Sequence, residues 1–152
     1  MDVRLLKPFV ESMTEVMPQL GFASAVLRST DVKGKKMVIS GVVITIGIVG
    51  DKKGNVVYTI DLAGAKQIAS TMMMGMPVDD FDDMAKSALS ELSNMLTANA
   101  TIKLASMGIN VDISVPAFMH GDPIEVSMNS EHVFCVNFDV DGIAMAINVT
   151  ME

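Results

Sequence analysis

The sequence predicts an α+β domain in which helices are layered on a largely antiparallel sheet. Apolar residues recur at helical spacing in three stretches, and Val- and Ile-rich runs of strand length fill most of the remainder. These segments follow the order helix, strands, helix, long helix, strands, which favours helices stacked on a sheet over alternating parallel units. With 152 residues, half of them apolar, the chain reads as a single domain over residues 1–152 that can bury a full core without disulfides or a structural metal.

The first helical pattern runs from Val3 to Leu20, with Leu6, Val10, Met13, Met17 and Leu20 on one side and Gly21 as a natural stop. Its charges and its lack of a small-residue cleavage site mark an amphipathic helix rather than an export signal, so the expected location is the cytoplasm. Phe22 to Arg28 reads as a short strand, and Asp31 to Lys36 as a turn. From Met37 to Val49 the chain is rich in Val, Ile and Thr. It turns at Asp51 to Asn55 and returns through Val56 to Ile60, which is a β-hairpin.

Asp61 is placed to cap a second helix that runs to Gly75, where Gly75-Met76-Pro77 breaks it. The carboxylates of Asp79, Asp80, Asp82 and Asp83 open the longest helical pattern, Phe81 to Met107, at the positive end of its dipole. Beyond Gly108, Val111–Val115, Ile124–Met128, Val133–Phe138 and Ile143–Val149 read as strands, with a turn at Gly121-Asp122-Pro123. Both halves put a helix ahead of strands, which leaves room for an internal pseudo-twofold that sequence identity does not establish.

Composition excludes several classes of function. A net charge of −7, with no basic cluster among the aromatics, argues against nucleic acid. No apolar run reaches the roughly 20 residues of a membrane span. The lone Cys135 lies in an apolar stretch and is expected to pack as a small hydrophobe. His120 and His132 are isolated from each other and from any zinc-like spacing, and Gly47-Ile48-Val49-Gly50 lacks the spacing of a phosphate loop. No metal site of the chain's own is expected. Most of the fifteen methionines, Met72-Met73-Met74 included, are expected to fill gaps in the core.

On the longest helix Phe81, Met84/Ala85, Ala88, Leu92, Met95 and Ile102 are expected to form the buried stripe. Ser87, Ser90, Glu91, Asn94, Ala98 and Thr101 then fall on another side. Glu91 and Asn94 stand about 60° apart around the axis and about 4.5 Å along it, close enough to address one target together. The small residues around them give a face on which another protein could pack closely. Spacing alone favours an ordinary solvated face.

The segment Ser87-Ala88-Leu89-Ser90-Glu91-Leu92-Ser93-Asn94-Met95, followed by Asn99-Ala100, resembles the signature of the CheC/CheX/FliY family of chemotaxis phosphatases, an E-x-x-N core preceded by Ser. The order of elements around it is also similar over nearly the whole chain. CheC-type members carry a second motif on the first helix. Here Glu11-Ser12-Met13-Thr14 has Thr where Asn is needed, so the chain resembles the single-motif CheX type. Ser93 stands where Gly often precedes the motif Asn.

The resemblance implies hydrolysis of the aspartyl phosphate of a CheY-like response regulator. Asn94 would orient the attacking water, and Glu91 would pair with the receiver's active-site lysine. Ser87, Ser90, Ala98 and Thr101 would line the partner-binding face, the receiver would supply Mg2+, and the chain would form a homodimer through sheet edges. Two alternatives stay open at this point: a receiver-binding adaptor without turnover, and a small-molecule enzyme of hot-dog type with a buried pocket beside the long helix.

Overall fold

The computed structural model describes residues 2–152. A 3-10 turn at Val3–Leu6, capped by Asp2, leads into α1 (Lys7–Gln19). There follow β1 (Ala25–Lys33), β2 (Lys36–Gly50), β3 (Gly54–Ile60), α2 (Leu62–Met72), α3 (Asp83–Ser106), β4 (Val111–Ile113), β5 (Ala117–Ser127), β6 (Val133–Val140) and β7 (Ile143–Met151). The strands form one seven-stranded sheet in the order β1-β6-β7-β3-β2-β4, with β5 also paired to β2, and every pairing is antiparallel.

Exchanging β1 with β5, β2 with β6 and β3 with β7 turns the order β1-β6-β7-β3-β2-β5 into its own reverse. The topology thus carries the pseudo-twofold for which the sequence left room, with β3 and β7 paired along its middle. Each half also lends its first strand to the other: β1 pairs with β6, and β5 with β2.

Strand alternation sorts the side chains between two faces. Val42, Ile44, Ile46, Val56, Tyr58, Val136, Phe138, Ile147 and Val149 point to the helices and join Phe9, Met13, Leu89, Leu92 and Leu96 in the main core. Val43 and Val57, offset by one, join Met37, Val126, Met128 and Val133 in a smaller cluster on the opposite face. Cys135 is buried as expected. All three helices lie on one side, with α3 packed mainly against α1 and α2. No helix among the described residues is long and apolar enough to cross a membrane.

Two strands are longer than the sequence suggested. β1 continues through Ser29, Thr30 and Asp31, a stretch with polar letters because this edge strand is exposed along almost its whole length. β5 begins at Ala117 and runs through Gly121-Asp122-Pro123, which the sequence marked as a turn. Those residues instead lie at an irregularity in the pairing, where Gly41 of β2 faces Gly121.

Candidate functional site

The candidate site lies on α3, whose ends are well defined. Asp82 caps the N-terminus, its Oδ1 accepting the Ala85 N–H at 2.9 Å, and Asp83 adds charge to the first turn. At the other end Gly108, with φ +82°, closes the helix as its amide donates to Ala105 O and the Ile109 amide to Leu104 O.

Ala85, Leu89, Leu92, Ser93, Leu96, Thr97, Ala100 and Leu104 form the buried stripe. This corrects two expected core positions, since Met84 is 60% and Ile102 70% exposed. The phase was misjudged because two hydroxyl residues belong to the inner face. Ser93 Oγ donates to Ser90 O at 2.9 Å, which also shows how the helix takes Ser in place of Gly before Asn94. Thr97 Oγ1 donates to Ser93 O at 2.7 Å and accepts from the Tyr58 hydroxyl at 2.8 Å.

Tyr58 is the sole tyrosine of the chain, and the sequence reading assigned it no part. Its buried hydroxyl, reaching up from β3, pins the turn that carries Asn94 to the sheet. Burial raises its ionisation well above the ordinary phenol range, although the Thr97 hydrogen bond works the other way.

Glu91 and Asn94 are both exposed, on the side of α3 away from the core. Neither makes a side-chain hydrogen bond or ion pair with the described residues. Ser87 is exposed on the same stripe, and Ser90, Ala98 and Thr101 are half-buried along it, with Thr101 Oγ1 donating to Ala98 O at 2.7 Å. The predicted set therefore comes together on one face.

The corresponding stretch of α1 is differently disposed. Glu11 lies 3.4 Å from Lys103 Nζ and 3.7 Å from Lys7 Nζ, while Glu15 holds Lys103 at 2.8 Å. Thr14 Oγ1 donates to Glu11 O. The acid that could have served a second site is occupied in pinning α1 to α3.

Beside the Glu91 face, an open groove of about 380 Å3 is lined by Met72, Met73, Asp83, Met84, Ser87, Ala88 and Glu91. Met74 is 97% exposed, which corrects the core-filling expectation at that residue, whereas Met72 packs against the main core. No group of three or more His, Cys, Asp or Glu side chains that could hold a metal occurs among the described residues.

A domain whose polar pair projects from a helix, rather than lining an enclosed pocket, is built to act on a surface brought to it by another macromolecule. Comparison with known proteins narrows that class. Residues 42–139 match the family described as chemotaxis phosphatase CheX. The CheY-P phosphatase CheX of Thermotoga maritima is 30% identical over 132 residues, covering 83% of this chain and 81% of the relative.

Among solved structures, a putative chemotaxis protein from Desulfovibrio vulgaris Hildenborough is 25% identical, with a TM-score of 0.86 over 99% of this chain and 97% of that one. A chain of the CheX-CheY-BeF3-Mg+2 complex from Borrelia burgdorferi is 24% identical, with a TM-score of 0.81 over 99% of each chain. The chain belongs to the chemotaxis phosphatase CheX family.

Proposed function

We propose that this chain hydrolyses the aspartyl phosphate of a CheY-like response regulator in the cytoplasm, with Asn94 positioning the attacking water and Glu91 anchoring the receiver. The observation that carries the reading is the unpartnered, outward-facing acid–amide pair on a helix fixed from behind by Tyr58 and Thr97. A helix locked on one side can present two polar groups on the other at little entropic cost.

The chemistry fits those two residue types. Phosphoryl transfer passes through a loose transition state, so the chief need is a water held in line with the breaking bond. The Asn94 amide can both donate to and accept from that water while remaining uncharged beside the phosphoryl oxygens. A carboxylate there would be repelled by them. Glu91, one turn away, suits the receiver lysine, since a carboxylate–ammonium pair is a charge-assisted hydrogen bond. The receiver supplies the Mg2+ that offsets charge on the phosphoryl group. The Borrelia burgdorferi relative was solved with CheY, beryllofluoride and magnesium, which supports this choice of partner.

The test is to mix the purified chain with a phosphorylated CheY-like receiver and follow loss of the phosphoryl group, with Asn94→Ala in parallel. Hydrolysis accelerated by the wild type and not by the variant is the expected result. Binding without acceleration would make the chain an adaptor and sink the proposal.

We also propose a homodimer paired through β1. This strand ends the sheet, hydrogen-bonds to β6 on one side only, and exposes Val26, Leu27 and Val32. An open edge of this kind is a ready template for a second strand. Sedimentation should give a dimer, and Val32→Lys should shift it toward monomer.

A further inference from the structure

All three helices close with the same pair of hydrogen bonds. In α1 the Gly21 amide donates to Pro18 O and the Phe22 amide to Met17 O; α3 repeats the pattern at Gly108 and Ile109. In α2 the Met74 amide donates to Thr71 O and the Gly75 amide to Ser70 O. The residue that must enter the left-handed region is glycine in the first two cases, with φ +99° at Gly21 and +82° at Gly108. In α2 it is Met74, at φ +61°, although a glycine follows directly. A side chain that could have been dispensed with is retained at a disfavoured backbone conformation and held almost wholly in solvent.

Met74 directly follows two methionines of an apolar surface that reaches the proposed site. The preceding Met72 and Met73 line the groove together with Met84 and Ala88, and Glu91 lines the same groove. Met84 lies two turns from Glu91, about 10 Å along the axis. A standard interface covers roughly 800 Å² per partner, so a protein seated on Glu91 also covers the groove. The carboxylates of Asp83 and Glu91 flank the methionines, which suits an apolar side chain standing beside a cation.

We infer that this methionine groove is an apolar docking subsite of the phosphatase surface: it receives an apolar side chain that the receiver presents next to the lysine engaged by Glu91. The inference rests on the proposed phosphatase reading and deepens it. Thioethers are flexible and polarisable, so the groove would accept differently shaped apolar groups and allow one enzyme to serve more than one receiver.

The experiment measures binding and turnover separately. The probe is a CheY-type receiver loaded with Mg2+ and beryllofluoride, and its Kd is measured for the wild type, Met73→Ser/Met84→Ser, Met73→Leu/Met84→Leu, Met74→Gly and Met107→Ser. Met107 is an exposed methionine at the far end of α3 and serves as the control.

The serine pair should raise Kd, and KM for the phosphorylated receiver, by ~10- to 100-fold, as loss of apolar contacts at the centre of an interface does. Its maximal rate should stay within about threefold of wild type, the leucine pair should restore binding, and Met107→Ser should change nothing. Met74→Gly should weaken binding while raising the melting temperature, because it relieves the backbone. A serine pair that binds as wild type does, or that loses maximal rate with Kd kept, overturns the inference. So does a serine pair that alters only the oligomeric state, since the groove would then seat a second copy. A wild type that binds but does not hydrolyse refutes the phosphatase reading and leaves the groove assignment measured. A wild type that binds no loaded receiver refutes both.

Discussion

Replacing Asn94 by alanine should move stability and activity in opposite directions. The side chain is exposed and makes no hydrogen bond with the described residues, so its removal forfeits no native contact. Alanine is the better helix former by about 0.6 kcal/mol at an interior position. For a domain of this size each kcal/mol corresponds to roughly 2–4 °C, so the melting temperature should rise by about 1–2 °C. The rate of phosphoryl loss should meanwhile fall ~10²-fold or more, about 2.7 kcal/mol of barrier, the scale of a single lost positioning group. Calorimetry and a phosphate-release assay on the same preparation read the two changes. Activity within threefold of wild type would refute the role assigned to the amide. A melting temperature lowered by several degrees would show that Asn94 serves the fold instead.

Glu91→Ala should act chiefly on docking, raising Kd by ~10- to 100-fold, as expected for a lost hydrogen bond between charged groups of about 1.5–3 kcal/mol; titration calorimetry with the loaded receiver checks it, and an unchanged Kd would count against the lysine contact. Tyr58→Phe removes the donor to Thr97 and should cost about 1 kcal/mol, seen as a melting temperature lower by roughly 2–4 °C. Alkaline pH should destabilise the chain. Burial raises both the Tyr58 phenol and the Cys135 thiol above their ordinary values of 10.0 and 9.0, so above pH 9 the unfolded chain sheds protons that the folded chain keeps. The contribution of these groups is complete below pH 9 and declines as pH rises through their folded values. Urea midpoints at pH 8, 9.5 and 10.5 should fall in that order, with a shallower fall in Tyr58→Phe.

The hairpin of β2 and β3 and the start of α2 were legible in the sequence because each rests on a local signal. These are β-branched density, the polar turn letters Asp51-Lys52-Lys53 and an aspartate before an apolar run; the Asp61 side chain does cap α2 through the Gly64 amide. The second half of the edge strand β1 escaped because both its faces are wet, and the alternation that marks a half-buried strand is missing from Ser29-Thr30-Asp31. The start of β5 escaped because Gly, Asp and Pro are turn letters that a strand irregularity also accepts.

On α3 Glu91 and Asn94 lie exposed, and the expected buried stripe holds at Ala85 and Leu92 but fails at Met84 and Ile102. Glu91 and Asn94 stand out because a known signature passes through them. Ser93 and Thr97 look solvent-facing until the carbonyls and the tyrosine that satisfy them are seen. The link between Tyr58 and Thr97 joins two layers across 39 positions, and no local pattern announces such a pair.

The exchange of first strands between the two halves bears on how the molecule is assembled. Neither half owns a finished sheet: β1 waits for β6, more than a hundred residues later, and β2 waits for β5. Contacts this distant in the chain make for slow acquisition of the native state. Fragments severed in the connection between α2 and α3 should each remain incomplete alone and regain order only when mixed, each supplying the other's missing border.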